Sequence, residues 1–444
     1  MLLALGVRLL VWQYNREAIA PVMSGLTAGY KDDARILARG DLRLFLRGPD
    51  PPSNANVIAH PPGYSILLAA IFSLVGESDF AVRFFQIFCD SISVIFVFLI
   101  SLELISRRVA IIAGVLAAFS PQLAYNSLLL LPDSQSVLPI LVAVYLIVSA
   151  RVTAGSWVKL ASAGAMLGVS CWLRPNGLLL PLFFAAFFPI VFKRGVRARM
   201  IVLLIASAVI LIAPLTIRNI VVFDRFIPIS LGSGVTFLEG IADYDSDGTT
   251  GLKRTDVEVL QDEARAFNRP DYAGSLYNPD GIQRERARTA LGIRVIRSRP
   301  FWFLGVMIRR ASSMLRLERV PAISGSPFVP GSDQSTEVST FASMVARIPG
   351  VILKIVQKLF ITAVILPLAL IGLFMLAKSQ RPQVLIFLLA VPAYYLCLQS
   401  LLHTEYRYLL ALHCFLLMLV AVPLNSMASA AWQVANNLKP KPTL

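Results

Sequence analysis

The sequence predicts an all-α polytopic membrane protein with about ten transmembrane helices, and three observations support this prediction. The chain of 444 residues has a mean hydropathy of +0.69 and is 56% hydrophobic. Only 15% of its residues are charged, whereas soluble domains carry about 25%. Apolar stretches recur along the chain at close to the ~20 residues that a helix needs to cross a bilayer.

Ten stretches are predicted to span the bilayer. The first, MLLALGVRLLVW, is short, and we expect it to be the outer half of a first helix. The other nine are predicted at about 82–104, 108–126, 135–150, 157–173, 176–192, 200–222, 350–377, 382–401 and 406–425.

Two further apolar segments are predicted to be interfacial helices in long outer loops. SILLAAIFSLVG (65–76) is too short to span comfortably. PFWFLGVMIRRASSMLRL (300–317) is amphipathic, with arginines on one side. The predicted organisation is an N-terminal transmembrane module, a long outer loop, and C-terminal helices with a short cytoplasmic tail: 1–222 (with a first outer loop at 13–80), 223–346 and 347–444.

The short loops predict the orientation of the chain. One set is basic, and short cytoplasmic loops are enriched in lysine and arginine; this set contains Arg107, Arg108, Arg151, Lys159, Lys193, Arg194, Lys378 and Arg381. The alternating set has few basic residues and carries Asp133, Arg174, His403, Glu405 and Arg407. This second set, with both long loops, is therefore predicted to face outward. The long outer loops are also basic, which suits an anionic, lipid-borne partner.

An acidic pair follows the first predicted helix, in YKDDARILARGD. Asp32 and Asp33 could belong to a solvated helix that faces lipid headgroups, with one acid as a cap. Alternatively, one of them could accept a proton from an attacking hydroxyl, which requires reach and a suitable pKa. Spacing alone favours the structural interpretation.

Two further motifs place polar residues on the same predicted face. In AHPPGY, His60 and Tyr64 flank two prolines that suit the start of a helix. His60 is a structural residue, a metal ligand or a hydrogen-bond donor to phosphate. In LLLLPDSQS, Asp133 is either a helix cap or a member of a site shared with the first-loop acids.

Arginines at two predicted outer helix ends can reach a membrane-borne anion. Arg174 lies in CWLRPNG, and Arg407 lies in HTEYRY beside Glu405. Each arginine can snorkel to headgroups or bind a phosphate bidentately. The sequence contains no Walker A, dinucleotide or HExxH motif. No soluble domain for a nucleotide sugar is visible in the sequence either. If the protein uses a sugar donor, that donor would therefore be carried in the membrane.

Together these motifs resemble the GT-C glycosyltransferases that use polyprenyl-phosphate sugars, such as bacterial protein O-mannosyltransferases and lipid A aminoarabinose transferases. The acidic pair Asp32–Asp33 comes first, and the HPPGY element (60–64) follows. The segments AVRFFQIF, SPQLAYNSLLLLPDS, WLRPNGLLLPL and RYLLALH come next. The resemblance covers most of the chain and rests on the order, spacing and common face of these segments.

The resemblance implies a role for each residue. Asp32 or Asp33 would be the general base, with a slight preference for Asp32. Asp133 would hold a metal, the sugar or the acceptor. The donor phosphate and substrate would be bound by the residues His60, Tyr64, Arg174, Glu405 and Arg407. A divalent metal cation stays open as the only cofactor, with Asp133 and His60 as candidate ligands.

The implied function is an inverting hexosyl or pentosyl transfer from a polyprenyl-phosphate donor to an acceptor hydroxyl. The acceptor would be a glycan, a lipid or a protein, and no nucleic-acid partner is expected. The implied location is a bacterial inner membrane, with the active site facing the periplasm. A transporter or flippase of lipid-linked sugars is the alternative, but it predicts mid-span charges and an internal repeat. A ligase or polymerase that moves whole lipid-linked glycans is barely separable by sequence.

Overall fold

The computed structural model describes residues 1–42, 55–152, 157–317 and 341–437. Within these ranges every regular element is a helix. The N-terminal half contains α1 (Leu2–Ile19), α2 (Ser24–Ala38), α3 (Gly63–Val75), α4 (Asp79–Leu104), α5 (Arg107–Phe119), α6 (Pro121–Asn126), α7 (Pro132–Gln135), α8 (Val137–Val152), α9 (Trp157–Leu173), α10 (Leu180–Val191) and α11 (Arg197–Phe223).

The second half begins with a region of shorter helices and ends with longer apolar ones. Its helices are α12 (Ser233–Ala242), α13 (Asp256–Ala266), α14 (Gly281–Ser298), α15 (Pro300–Met314), α16 (Phe341–Gln357), α17 (Thr362–Lys378), α18 (Pro382–Gln399) and α19 (Leu410–Asn437). Short 3-10 turns occupy Asn56–Ile58, Pro175–Gly177, Pro270–Gly274 and Tyr406–Leu409.

Capping residues explain where several of these helices begin. The Ser78 hydroxyl accepts a hydrogen bond from the Ala81 amide at the start of α4. Ser120 caps α6 in the same way, and Pro121 occupies the first helical position. The predicted span 108–126 is consequently divided into α5 and α6 at Ser120.

The chain is a multi-pass membrane protein, but the count of ten spans is not confirmed. Among the described residues, five helices are long and apolar enough to cross a membrane: Asp79–Leu104, Pro132–Arg151, Arg197–Phe223, Pro382–Gln399 and Tyr406–Val434. A sixth span results if Ile348–Gln357 and Thr362–Lys378, which meet at 59°, count as one. Three further apolar helices are shorter: Gly63–Val75, Trp157–Leu173 and Pro175–Val191. The first was predicted to be interfacial, and the other two were predicted to span the bilayer. They do not count as candidate spans here, since a helix of 17 residues is only about 26 Å long.

Small residues let the long helices pack closely. A Cβ atom at Gly164 or Gly168 of α9 would collide with α11, which is the packing role that small residues play between membrane helices. The largest apolar core joins α4, α5, α8 to α11 and α17 to α19. A second core joins α1, α2 and α3 to Leu128–Leu131.

The fold brings several helix ends to one end of the bundle. The spans that start at Asp79, Pro132 and Tyr406 start there, and α9 ends there at Leu173. The described part of the region between α11 and α16, residues 224–317, packs onto this end. The Ala55 amide donates to the Tyr277 carbonyl at 2.9 Å, and the His403 amide donates to the Thr236 carbonyl at 2.8 Å. Polar residues that are distant in sequence therefore meet under this region.

Candidate active site

Asp133 and Arg174 form a largely buried ion pair at this end of the bundle. Asp133 follows Pro132 at the start of α7 and is 4% exposed. Arg174 directly follows α9, where Pro175 begins a 3-10 turn. Its Nη2 donates to Oδ2 of Asp133 at 2.7 Å. The pair is charge-assisted and fixes the two helix ends relative to each other.

Arg407 lies beside this pair and shares an aromatic neighbour with it. Arg407 is 5% exposed, and its Nη2 donates to Oε1 of Glu405 at 2.6 Å. The Tyr408 ring centroid lies 4.9 Å from the Arg174 guanidinium carbon and 5.3 Å from that of Arg407. Two guanidinium groups therefore approach one ring, an arrangement favoured by cation–π attraction.

Several buried polar atoms of this group have no hydrogen-bond partner among the described residues. They are Nε of Arg174, Nε and Nη1 of Arg407, and Oδ1 of Asp133. A buried donor or acceptor without a partner costs about 1–3 kcal/mol, and more when it is charged. Asp133, Arg407 and Tyr408 line a cleft that is too narrow in this structure to hold a water molecule. Three unused guanidinium donor atoms and one carboxylate acceptor nevertheless match the hydrogen-bonding groups of an anion that also carries hydroxyl groups.

The two first-loop acids have different surroundings. Asp32 has a 64% exposed side chain and accepts a hydrogen bond from Arg35 at 2.5 Å. Arg35 also donates two bonds to Glu77, at 2.9 and 2.7 Å. Asp33 is only partly exposed and hydrogen-bonds Ser65 of α3. Burial, and secondly the charge of Asp32, raise the pKa of Asp33 to about 6.

Tyr30 lies one turn before Asp33 and was not predicted from the sequence. It is 2% exposed, and its hydroxyl has no hydrogen-bond partner among the described residues. Its ring lies 5.3 Å from the His60 ring and 5.1 Å from the Tyr64 ring. Burial raises the pKa of Tyr30 to about 12, and the fields of Arg174 and Asp133 also act on it. Tyr30 therefore lies within electrostatic reach of the Asp133–Arg174 pair.

His60 and Tyr64 occupy different depths beside Tyr30. Tyr64 is fully buried and donates to Oε1 of Gln86 at 3.2 Å, so its hydroxyl is already used within the protein. His60 is solvent-exposed. The surrounding protein, followed by Arg174 and Arg407, lowers the pKa of His60. Solvent screening weakens this effect, but its direction favours a neutral imidazole.

The structure brings most of the predicted site residues together. Asp133, Arg174 and Arg407 form one group with Glu405 at its edge. Tyr30 and His60 pack against each other and lie within electrostatic reach of this group. Asp32 is the exception because it faces solvent in its pair with Arg35. Tyr64 lies behind the site.

The donor set does not fit a divalent cation between Asp133 and His60. One oxygen of Asp133 is already bound by Arg174. Two guanidinium groups act on His60, and they would repel a metal ion. Among the described residues, no group of three or more His, Cys, Asp or Glu side chains could hold a metal.

A neighbouring contact anchors the segment that leads to Arg407. Nδ1 of His403 lies 2.7 Å from Oδ2 of Asp243. Arg310 of α15, 2% exposed, donates to the carbonyls of Ser400, at 2.7 Å, and of Gly240. Residues 400–405 are therefore held by α12 and α15. These two helices thus fix the segment that leads to Arg407.

Comparison with known sequences gives a partial match. A family model described as dolichyl-phosphate-mannose-protein mannosyltransferase matches residues 59–217. This is well under half of the chain. It includes His60, Asp133 and Arg174, and it excludes Asp33 and Arg407. No curated protein matches the sequence.

Comparison with solved structures gives matches along the whole chain. The oligosaccharyltransferase of Archaeoglobus fulgidus in its apo form has a TM-score of 0.55 at 14% identity, covering 100% of this chain and 52% of that one. The same organism's AglB, in complex with an inhibitory peptide and a dolichol-phosphate, has a TM-score of 0.52 at 13% identity, covering 100% and 52%. ArnT from Cupriavidus metallidurans, bound to undecaprenyl phosphate, has a TM-score of 0.41 at 16% identity, covering 100% and 81%. That score is too low to support a conclusion.

These likenesses concern the fold. At 13 and 14% identity they do not transfer an activity. The chain spans about half the length of the archaeal oligosaccharyltransferase that it matches. Within that limit, the all-helical membrane architecture predicted from the sequence is confirmed for the described residues, and the chain shares the fold of the archaeal oligosaccharyltransferase.

Proposed function

We propose that this protein is a membrane glycosyltransferase that moves one hexosyl or pentosyl group from a polyprenyl-phosphate donor to an acceptor hydroxyl. The observation that carries the proposal is the pair of buried guanidinium groups, Arg174 and Arg407, with unused donors beside Asp133. The fold and the partial family match support it. The AglB structure with bound dolichol-phosphate adds that a protein of this fold can bind a lipid phosphate.

The donor phosphate would bind to the unused atoms of Arg407 and Arg174. Arginine forks suit phosphate oxygens, and hydrogen bonds between charged groups are about twice as strong as neutral ones. The buried Tyr30 hydroxyl is also without a partner among the described residues and feels the charges of Arg174 and Arg407, and we propose that it donates to a phosphate or sugar oxygen. An incoming phosphate would therefore satisfy buried donors that the protein leaves unpaired.

Asp33 is the proposed general base, in preference to Asp32. A catalytic base works best when its pKa lies near the operating pH, and the pKa of Asp33 is raised to about 6. Asp32 is exposed and neutralised by Arg35. Asp33 also shares the helix α2 with Tyr30, at a spacing of three residues that puts both on one face.

The proposed reaction is a single displacement. The acceptor oxygen attacks the anomeric carbon on the face opposite the phosphate while Asp33 takes its proton. The bond between the anomeric carbon and the phosphate oxygen breaks, its electron pair leaves with the phosphate, and the configuration inverts. Arg174 and Arg407 stabilise the charge that develops on the leaving phosphate. The free oxygen of Asp133 accepts a hydrogen bond from a sugar hydroxyl.

The proposed location is a bacterial inner membrane, with the site facing the periplasm. The support is the distribution of charge. Basic residues such as Arg107, Arg151, Lys159 and Lys378 lie at helix ends away from the candidate site. The second candidate function is transport of a lipid-linked sugar. It is favoured by a buried ion pair between Arg8 of α1 and Asp90, and Asp90 lies inside the candidate span Asp79–Leu104.

A transfer assay separates the two functions. Purified protein in detergent would receive polyprenyl phosphates that carry a hexose or a pentose, together with hydroxyl acceptors, and release of free polyprenyl phosphate would be followed. We expect sugar-dependent release by the wild type, loss in Arg407→Gln, and retention in Arg309→Gln, which alters an arginine outside the site. Absence of release from every donor, with labelled lipid-sugar crossing proteoliposome bilayers, would establish the transporter instead.

A further inference from the structure

A second polar cavity lies beside α2, away from the candidate active site. It has a volume of about 220 Å³ and is bounded by the end of α1, by α2 and by the start of α4. Its charged lining includes Lys31, Asp79 and Arg83, and its apolar lining includes Ile19, Val22 and Leu130. Lys31 and Asp33 are two residues apart on α2, so their side chains point to opposite sides of the helix. The cavity is therefore separate from the proposed base.

The cavity has more positive than negative charge. Nζ of Lys31 lies 2.5 Å from Oδ1 of Asp79, and Nη1 of Arg83 lies 3.9 Å from Oδ2 of the same carboxylate. Arg83 also donates from Nε to the Leu128 carbonyl at 3.1 Å. Two cations, with side chains 17% and 15% exposed, thus share one acid. Arg35 also lines the cavity, and its two acidic partners, Asp32 and Glu77, are not among the lining residues. The lining itself therefore carries three cations and one acid.

The cavity lies beside the first residue of a candidate membrane span. Asp79 is the first residue of a candidate span, so the cavity adjoins the level where this helix leaves the bilayer. The first two turns of α4 expose Phe80 by 62% and Phe84 by 45%. The Trp12 ring packs 5.1 Å from that of Phe80, and aromatic side chains are enriched at this depth. A ligand here would meet cations on one side and an apolar, lipid-facing surface on the other.

We propose that this cavity binds the headgroup phosphate of an anionic phospholipid, whose acyl chains lie along Phe80 and Phe84. Lys31 and Arg83 are the phosphate ligands. Arg83 is anchored to the Leu128 carbonyl by Nε, which leaves its terminal amino groups directed to Asp79 and the ligand. Charge complementarity and the position beside a helix end favour a lipid phosphate over a soluble anion. The site does not depend on the proposed transferase activity.

Lipid retention by the whole protein tests this site. The full chain would be exchanged into micelles that contain phosphatidylglycerol or phosphatidylcholine, and bound lipid would be counted by native mass spectrometry. We expect selective retention of phosphatidylglycerol by the wild type. Lys31→Ala should weaken it about fivefold, the effect of one basic residue near a membrane surface. Asp79→Asn should strengthen it, because it increases the positive excess.

Matched variants identify the site. Lys253→Ala removes another lysine paired with an aspartate, and it should leave phosphatidylglycerol retention unchanged. Arg407→Gln, in the proposed donor site, should also leave it unchanged, and loss of retention there would place the lipid in the donor site and overturn the proposal. Equal retention of phosphatidylcholine would also overturn it. Displacement of the lipid by equimolar glycerol phosphate would overturn the proposal as well. Stronger phosphatidylglycerol retention in Lys31→Ala, or weaker retention in Asp79→Asn, would also contradict it.

Discussion

At the scale of single residues, two adjacent carboxylates on α2 have different chemistry because they point in different directions. Successive side chains on a helix are about 100° apart. This angle directs the Asp32 side chain toward solvent and Arg35. It directs the Asp33 side chain toward Ser65 of α3. The sequence shows two equivalent acids, and the slight preference for Asp32 had no packing information behind it. The choice between them depends on α3, which lies about 30 residues further along the chain.

The pH dependence of transfer should report on Asp33. Its carboxylate must be ionised to accept a proton, and its pKa is raised to about 6. Transfer should therefore decline as the pH falls through about 6, with about a tenth of the activity left at pH 5. Asp32→Asn removes a charge that raises this pKa. That variant should stay active, with its acidic limit at a lower pH in kcat/KM measured from pH 4.5 to 8. An unchanged limit would exclude Asp33 as the titrating group.

Tyr30 should affect catalysis without affecting stability. Its hydroxyl has no partner among the described residues, so Tyr30→Phe should leave Tm unchanged or slightly higher. Loss of a hydrogen bond to the donor should lower kcat on the order of 100-fold. Tyr64→Phe is the matched control, because it breaks the hydrogen bond to Gln86. It should lower Tm and have little effect on kcat. The reverse pattern would make Tyr30 a packing residue only.

At the scale of helices, the long apolar segments were the most predictable. The spans predicted at 200–222 and 382–401 form helices at Arg197–Phe223 and Pro382–Gln399. Such segments have one dominant feature, their apolar length. The span predicted at 350–377 instead contains a bend of 59° between two helices. Breaks of this kind depend on tertiary packing, which hydropathy alone does not report.

Close packing between α3 and α9 should be needed for the site. A Cβ atom at Gly63, the first residue of α3, would lie 2.4 Å from the Trp172 carbonyl oxygen, next to Arg174. Gly63→Ala should therefore separate His60 from Arg174 and reduce transfer at least tenfold, with a lower Tm. Gly29→Ala is the control, since its Cβ atom would meet nothing within 4 Å. It should raise helix stability by up to about 1 kcal/mol. Equal activities of the two variants would contradict this role of α3.

At the scale of the whole molecule, the fold gathers residues of the proposed site from distant segments at one end of the bundle. Asp133, Arg174 and Arg407 come from the start of α7, the end of α9 and the 3-10 turn before α19. The proposed base Asp33 and His60 come from the first predicted outer loop. Alternating loop charges predicted that these residues share a face. The contacts that make them a site could not be predicted, because Tyr408 and Tyr30 complete it through packing. The buried Arg8–Asp90 pair was likewise not predicted, since its two members lie 82 positions apart.

The most direct measurement compares Asp33→Asn with Asp32→Asn in the transfer assay with polyprenyl-phosphate sugars. Both variants remove one charge and preserve side-chain size, and folding of each would be checked by Tm. Loss of sugar-dependent polyprenyl phosphate release in Asp33→Asn, with release retained in Asp32→Asn, is the result we predict. Release by Asp33→Asn at the wild-type rate would contradict the proposed site and its mechanism.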